Sequence, residues 1–229
     1  MNIPAGRRRH RWLRWTLGGG VALIVLLLAG VALAIKLQPT PAPLALPASA
    51  AAPDGPLDGT YQVAAGSAAG FRIEQTVLFL TSEVVGRTTD VTGTVTVTGG
   101  QATAADLRIN LLALTSNGDK PAPQFGISLG TGQYPVATVG LAQPAPLGTA
   151  AQSGGATTVD ASGTLTLHGV THTVTVPLAL RRDGANLDVA GRLPVTFKDY
   201  GLASPEGYGP VGSLADHGTA EFLLVLRRT

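Results

Sequence analysis

The sequence predicts an all-β domain of antiparallel strands over residues 58–229, and two features of the chain support this. Apolar and polar residues alternate over long stretches: in "VTGTVTVTGG", Val91, Val95 and Val97 alternate with threonines. Such alternation of β-branched residues is typical of strands with one buried face. Gly, Asn and Asp separate the alternating stretches, which is the pattern of short turns between antiparallel strands.

About eight alternating segments follow one another, and the final "HGTAEFLLVLRR" is a ninth candidate strand. They lie near residues 60–65, 70–80, 87–98, 102–114, 135–143, 157–168, 170–182 and 185–197. Between them, "GDKPAPQFGISLGTGQYP" predicts a loop with a short helix, and "QPAPLGTAAQSGGATT" predicts a long flexible loop. A single open sheet of this size would expose long edges, which proteins avoid by closing a barrel or stacking two sheets.

The first 36 residues predict a membrane anchor. Residues 1–14 carry a cluster of arginines, and an uncharged apolar run follows from about Trp15 to Ile35, long enough for the transmembrane helix that we predict at 15–36. Positive charge on one flank, with Trp12 and Trp15 at the boundary, places residues 1–14 in the cytoplasm and the later domain outside it. The alternative is a cleaved signal peptide with a site at "ASA", Ala48–Ala50; the apolar run is longer than such peptides need.

Residues 37–57, which include "QPTPAPLALPASAAAPDGP", are rich in Pro and Ala. This composition favours an extended polyproline II segment that tethers the domain away from the membrane.

Composition excludes several classes of site. The chain has no cysteine, so it contains no disulfide, no thiol nucleophile and no cysteine-ligated metal. Residues 37–229 carry ten Lys and Arg against fourteen Asp and Glu, which argues against binding of nucleic acid. We expect no metal and no cofactor.

Two histidines in "LHGVTHTVTV" are spaced as two metal ligands on a helix would be. Gly169 and the surrounding Thr and Val residues instead favour a turn between two strands, with His168 ending the first and His172 beginning the second. By the period of a strand, His172 shares a face with Val174 and Val176, so we expect it to face the apolar interior.

The string "GISLG" at 126–130 matches the G-x-S-x-G pattern of serine hydrolases. Its flanks predict neither a buried strand nor a long helix, which that motif requires. A hydrolase using Ser128 with His168, His172 or His217 is therefore the least favoured hypothesis.

Several segments resemble the YceI family of extracytoplasmic, polyisoprenoid-binding-like proteins. They occur in order between Gly59 and Leu226 and are "GTYQV", "AAGFRIEQ", "VVGRTTDVTGTVTV", "QYPVATV", "GTLTLHGVTHTVTVPL", "VTFKDYGL" and "DHGTAEFLLVL". The resemblance implies a lipocalin-like barrel around a long apolar cavity that binds an isoprenoid or a similar lipid. It also implies binding and not catalysis.

We therefore predict a single-pass, membrane-tethered binding protein that holds an isoprenoid, a quinone or a similar lipid outside the cytoplasm. The alternative is a structural or protein-interaction module of the cell envelope with a filled barrel. The sequence leaves open whether the domain forms a homodimer. The expected cavity residues are those on the more apolar face of each strand: Phe71, Ile73, Leu107, Ile109, Leu165, Leu167, His172, Val174, Val176, Val195, Phe197 and Phe222.

Overall fold

The computed structural model describes Gly30, Leu33 and residues 40–229 except 49, 78–79, 117–119, 122 and 204–211. Its strands and helices include short pieces that the sequence pattern does not reveal. The strands are β1 Gly59–Val63, β2 Ala68–Val77, β3 Leu80–Thr88, β4 Val91–Thr98, β5 Gln101–Asn110, β6 Thr115–Ser116, β7 Lys120–Pro121, β8 Val136–Leu141, β9 Ala145–Pro146, β10 Thr157–Leu167, β11 Val170–Asp183, β12 Asn186–Thr196, β13 Gly212–Leu214 and β14 His217–Arg228. The helices are α1 Pro123–Ser128 and α2 Gly148–Ser153, with 3-10 turns at Leu111–Ala113 and Phe197–Tyr200.

Antiparallel pairing closes eight strands into a barrel, in the order β1, β4, β5, β8, β10, β11, β12 and β14, with β14 returning to β1. β2 continues beyond β1 along the same edge of β14, and β3 pairs with β2. The predicted all-β barrel is therefore confirmed. Alternation alone does not predict β3: most of this strand lies in the gap between the predicted segments 70–80 and 87–98.

The two ends of the barrel differ. At the end that carries the β4–β5 and β11–β12 turns, here called the closed end, Tyr61, Leu180 and Leu226 are at most 1% exposed. The Tyr61 hydroxyl donates a hydrogen bond to the Leu57 carbonyl oxygen at 2.6 Å. The other end, here called the mouth end, carries both 3-10 turns, α1 and the β10–β11 turn. Apolar side chains fill the closed end, so any internal space must lie toward the mouth end.

The segment predicted as a flexible loop before β10 is partly ordered. It forms β9, which pairs with the start of β5, and helix α2, in which Ala151 is fully buried. Small side chains let this segment pack closely against β10 and β11, and for that reason the prediction of a flexible loop is wrong for these residues.

The described residues of the range 40–57, here called the strap, lie on the outer wall of the barrel instead of extending away from it. The Ala51 amide donates to the Asp183 carboxylate at 2.7 Å, and the Asp54 amide donates to the Gly184 carbonyl oxygen at 3.0 Å. Arg182 donates to the carbonyl oxygen of Asp54 at 2.5 Å. Pro and Ala leave these backbone groups free to bond the barrel, so the expected free tether is wrong for the described part of this segment.

A buried ion cluster joins the strap to the barrel. Glu221 on β14 has a fully buried side chain and accepts from Arg72 at 2.9 Å and from Arg87 at 2.7 Å. The Leu44 amide of the strap donates to the same carboxylate at 3.3 Å. Burial would raise the pKa of Glu221, but the hydrogen bonds from both arginines and the positive charge of Arg72 outweigh it, so its pKa lies below the usual value.

The predicted anchor at 15–36 lies outside the described residues, apart from Gly30 and Leu33. Within the part of the chain that the structure describes, no helix has the length and hydropathy needed to span a bilayer.

Candidate functional site

A cavity of about 830 Å³ occupies the mouth half of the barrel. Its wall is formed by inward-facing residues of β2, β5, β8, β10, β12 and β14, and these are almost all aliphatic or aromatic. The cavity reaches the surface beside Ile127 and Ser128 of α1, which are exposed. Its volume falls within the range of about 300–1,000 Å³ that is usual for small-molecule sites.

The structure places nine of the twelve predicted cavity residues on this wall. These are Phe71, Ile73, Leu107, Ile109, Leu165, Leu167, Val195, Phe197 and Phe222. The three that do not line it lie on β11: His172, Val174 and Val176. His172 pairs with Leu165, so these residues lie on the predicted face of β11. Val174, however, packs against the cluster around Phe197, and the cavity does not extend to this strand.

Residues outside the long strands complete the wall, and the alternating pattern did not identify them. Leu111, Leu114, Phe125, Leu129 and Leu202 all line the cavity from the turn after β5, from α1 and its following turn, and from the turn after β12. Phe125 packs edge-on against Phe71, with ring centroids 4.9 Å apart. The available signal was the apolar content of "LLAL", at the end of the predicted segment 102–114, and of "FGISL", in the segment predicted as a loop with a short helix.

His168 and Gly169 form the two-residue turn between β10 and β11, with φ of 52° and 75°. Such positive values suit Gly, and they are uncommon for a side-chain-bearing residue. The His168 ring packs edge-on against Tyr134, with centroids 4.5 Å apart, and its Nδ1 lies 3.2 Å from the Tyr200 carbonyl oxygen. His168 therefore connects the β10–β11 turn to two segments at the mouth.

The His172 side chain is exposed at the mouth end of β11, so it is not buried in the apolar interior as we expected. Its Nε2 lies 2.8 Å from the Asp199 carbonyl oxygen, and its ring packs edge-on against Tyr200 at 5.0 Å. The 3-10 turn Phe197–Tyr200 occupies the space above the strand end, so the imidazole bonds to that turn. Together the two histidines hold this turn against the mouth end of β11.

Sequence comparison decides the family. The sequence pattern that defines the YceI-like domain matches residues 61–225, which run from within β1 to nearly the end of β14. The chain belongs to the YceI-like family. No curated protein matches the chain at a significant level.

Solved structures share the YceI-like fold. A polyisoprenoid binding domain from Saccharophagus degradans, implicated in plant cell wall breakdown, is 22% identical, has a TM-score of 0.56, and matches over 75% of this chain and 99% of that one. BcnA from Burkholderia cenocepacia is 21% identical, has a TM-score of 0.51, and matches over 69% of this chain and 95% of that one. These likenesses confirm the lipocalin-like barrel.

Ser128 lacks the surroundings of a hydrolase nucleophile in this YceI-like domain. It ends a six-residue helix and is exposed, whereas a nucleophile elbow needs a buried strand before the serine and a helix after it. Among the described residues, no hydrogen bond joins Ser128 to a histidine. No three His, Asp or Glu side chains of the described ranges lie close enough together to bind a metal ion.

We expect His168→Asn to loosen the mouth without unfolding the hairpin. Asn adopts positive φ readily and favours this turn type, but it lacks the ring that contacts Tyr134 and the Tyr200 carbonyl. Hydrogen exchange of residues 197–202 and 129–134 should become faster, while the free energy of unfolding changes by less than about 1 kcal/mol.

His217→Asn is the matched control, because the His217 ring is exposed and, among the described residues, bonds only the neighbouring Asp216 side chain. Equal exchange at the mouth in both variants would show that His168 does not hold these segments.

Proposed function

We propose that the protein is an extracytoplasmic, membrane-tethered binding protein that holds a hydrophobic chain, such as an isoprenoid, a quinone or a similar lipid. The observation that carries this proposal is the cavity of about 830 Å³ with its aliphatic and aromatic wall. Such a wall offers a ligand few hydrogen bonds, so affinity must come mainly from removing apolar surface from water.

The expected affinity follows from the size of the ligand. Each buried CH₂ contributes about 0.8 kcal/mol, so ten would contribute about 8 kcal/mol before the cost of ordering the chain. A long hydrocarbon therefore needs no charged contact to bind. The description of the Saccharophagus degradans relative as a polyisoprenoid binding domain supports an isoprenoid as the ligand class.

The amino-terminal sequence supports the tether. Arginines precede an uncharged run of about 20 apolar residues, and this order predicts a single span with the barrel outside the cytoplasm. The strap begins within a few residues of that run and packs on the barrel, so the domain would lie close to the membrane surface.

A filled barrel acting as an interaction module is the weaker candidate. Tyr61, Leu180 and their neighbours do fill the closed end. The mouth half, however, encloses a cavity, and an apolar cavity of this size without a ligand would forfeit packing contacts along its whole wall. Binding of a ligand restores those contacts.

Native mass spectrometry of the full chain, purified gently from the membranes of its own host, tests this proposal. We expect one bound lipid per barrel, which solvent extraction releases and identifies. Protein that stays bare after purification, and again after incubation with isoprenoids and quinones, would contradict ligand binding.

A further inference from the structure

We propose that the mouth end of the barrel faces the bilayer and that its rim, Leu112 and Ile127, is a membrane contact surface. This inference rests on the proposed membrane tether and deepens it, because it states which end of the cavity meets the lipid. Three observations support it: the path of the strap, the length of chain between strap and apolar run, and the position of exposed apolar side chains.

The carboxyl-terminal part of the strap, which leads into β1, lies at the closed end of the barrel. Leu57 packs in the core there, and Asp54 and Ala51 bond to the β11–β12 turn at Gly184 and Asp183. Next, Arg181 donates to the Pro47 carbonyl oxygen at 2.6 Å. Arg181 pairs with Asp188, which pairs with Val225, so Pro47 lies level with Val225 of β14.

The strap then continues toward the mouth end. Leu44 bonds to Glu221, and Arg72 donates to the Pro41 carbonyl oxygen at 2.5 Å. Arg72 pairs with Thr219, which is two residues from His217 at the mouth end of β14 and nine from Arg228 at the closed end. At about 3.3 Å per residue, Pro41 is thus about 7 Å from the mouth end of this strand and about 30 Å from its closed end.

The apolar run ends close to this point. Lys36 precedes Pro41 by five residues, which span at most about 18 Å. A membrane helix at 15–36 would therefore hold the mouth half of the barrel next to the bilayer. The closed end cannot approach as closely unless the strap detaches from Glu221 and Arg72.

Exposed apolar side chains lie at the same end. Apart from Leu33, the large apolar residues that are exposed in the described part of the chain are Leu112, at 66%, and Ile127, at 86%. Leu112 belongs to the turn between Leu111 and Ala113, and Ile127 belongs to α1; both segments also line the cavity. A hydrocarbon chain that crosses this rim from the bilayer avoids exposing each CH₂ to water, which would cost about 0.8 kcal/mol.

Site-directed fluorescence tests the orientation, because the chain has no cysteine and accepts single labels without a background. The full chain is reconstituted into vesicles of phosphatidylethanolamine and phosphatidylglycerol that carry a nitroxide on the lipid headgroup. One variant places a fluorophore on the rim, Ile127→Cys, and its matched control places it at an exposed closed-end position, Thr98→Cys. We expect the nitroxide to quench the rim label and to leave the fluorescence of the closed-end label unchanged.

A second variant tests the role of the strap. Twenty Gly and Ser residues inserted between Gln38 and Pro39 add a flexible link with a root-mean-square length of about 25 Å. We expect the difference between the two labels to shrink, because only the apolar rim then orients the barrel. Equal quenching of both labels in the unaltered chain, or stronger quenching at Thr98→Cys, would overturn the inference. A difference that the insertion leaves unchanged would overturn the role of the strap.

The same vesicles distinguish this inference from the proposed function. Bound lipid extracted from a protein whose two labels are quenched equally would overturn the orientation and leave lipid binding intact. Selective quenching of the rim label on a protein that never binds lipid would support the orientation and contradict the ligand. A chain that fails to remain with the vesicles would contradict the tether and the orientation together.

Discussion

Replacement of Ala220 by tryptophan should abolish most ligand binding while the barrel remains folded. Ala220 lies on the inward face of β14 and lines the cavity. An indole at this position would occupy space that the ligand needs. Displacing about four CH₂ groups would cost about 3 kcal/mol, a loss of affinity of more than about 100-fold. Titration of delipidated protein with an isoprenoid measures this loss.

Thr175→Trp is the matched control for this substitution. Thr175 is exposed on β11 and points away from the cavity, so the same side chain there should leave the affinity unchanged. Circular dichroism and thermal unfolding of both variants establish that they are folded. Equal affinities in the two variants would show that the ligand does not enter this cavity.

Replacement of Glu221 by glutamine should destabilise the barrel by about 3–5 kcal/mol, because it leaves buried arginine charge without its partner. The Glu221 side chain is fully buried and accepts from both Arg72 and Arg87. Urea-induced unfolding measures the change in free energy. Glu83→Gln removes the charge of the other carboxylate that pairs with Arg72, but Glu83 is 51% exposed, and we expect a cost below about 1 kcal/mol.

The contribution of Glu221 to the free energy of unfolding should decrease as the pH falls. Its pKa in the folded protein lies below the usual value because of the two arginines, so the contribution is complete above the unfolded pKa of about 4.3. It is lost as the pH falls through the lower, folded pKa. The difference in unfolding free energy between the native chain and Glu221→Gln should be constant at neutral pH and shrink in acid. A difference that grows on acidification would contradict this assignment.

The strands of the barrel were predictable because their residues alternate in a pattern set by one buried face. The same logic placed Phe71, Leu165 and Phe222 on the inner wall. It could not show how far the cavity extends, because a residue such as Val176 faces inward whether it meets ligand or another side chain. Cavity extent depends on how side chains from distant strands fill the interior, and periodicity carries no information about that.

The strap and the mouth segments were beyond prediction for a different reason. Residues 40–57 bond to the barrel largely through their backbone, as in the hydrogen bonds at Pro41, Pro47 and Asp54, so their side chains give no sign of it. The position of His172 on β11 predicts an interior side chain, but the turn Phe197–Tyr200 folds back over the strand end and bonds its ring. Tertiary contacts from elsewhere in the chain decide both cases.

Locating a bound hydrocarbon chain on the protein would show whether the ligand lies inside the barrel. An isoprenoid that carries a diazirine at its apolar end can be bound to the full chain, activated by light and located by peptide mass spectrometry. The cavity predicts adducts on residues of its wall, such as Phe71, Leu165 and Phe222, and their loss in Ala220→Trp. Adducts confined to the outer wall of the barrel, or unaffected by Ala220→Trp, would contradict binding inside it.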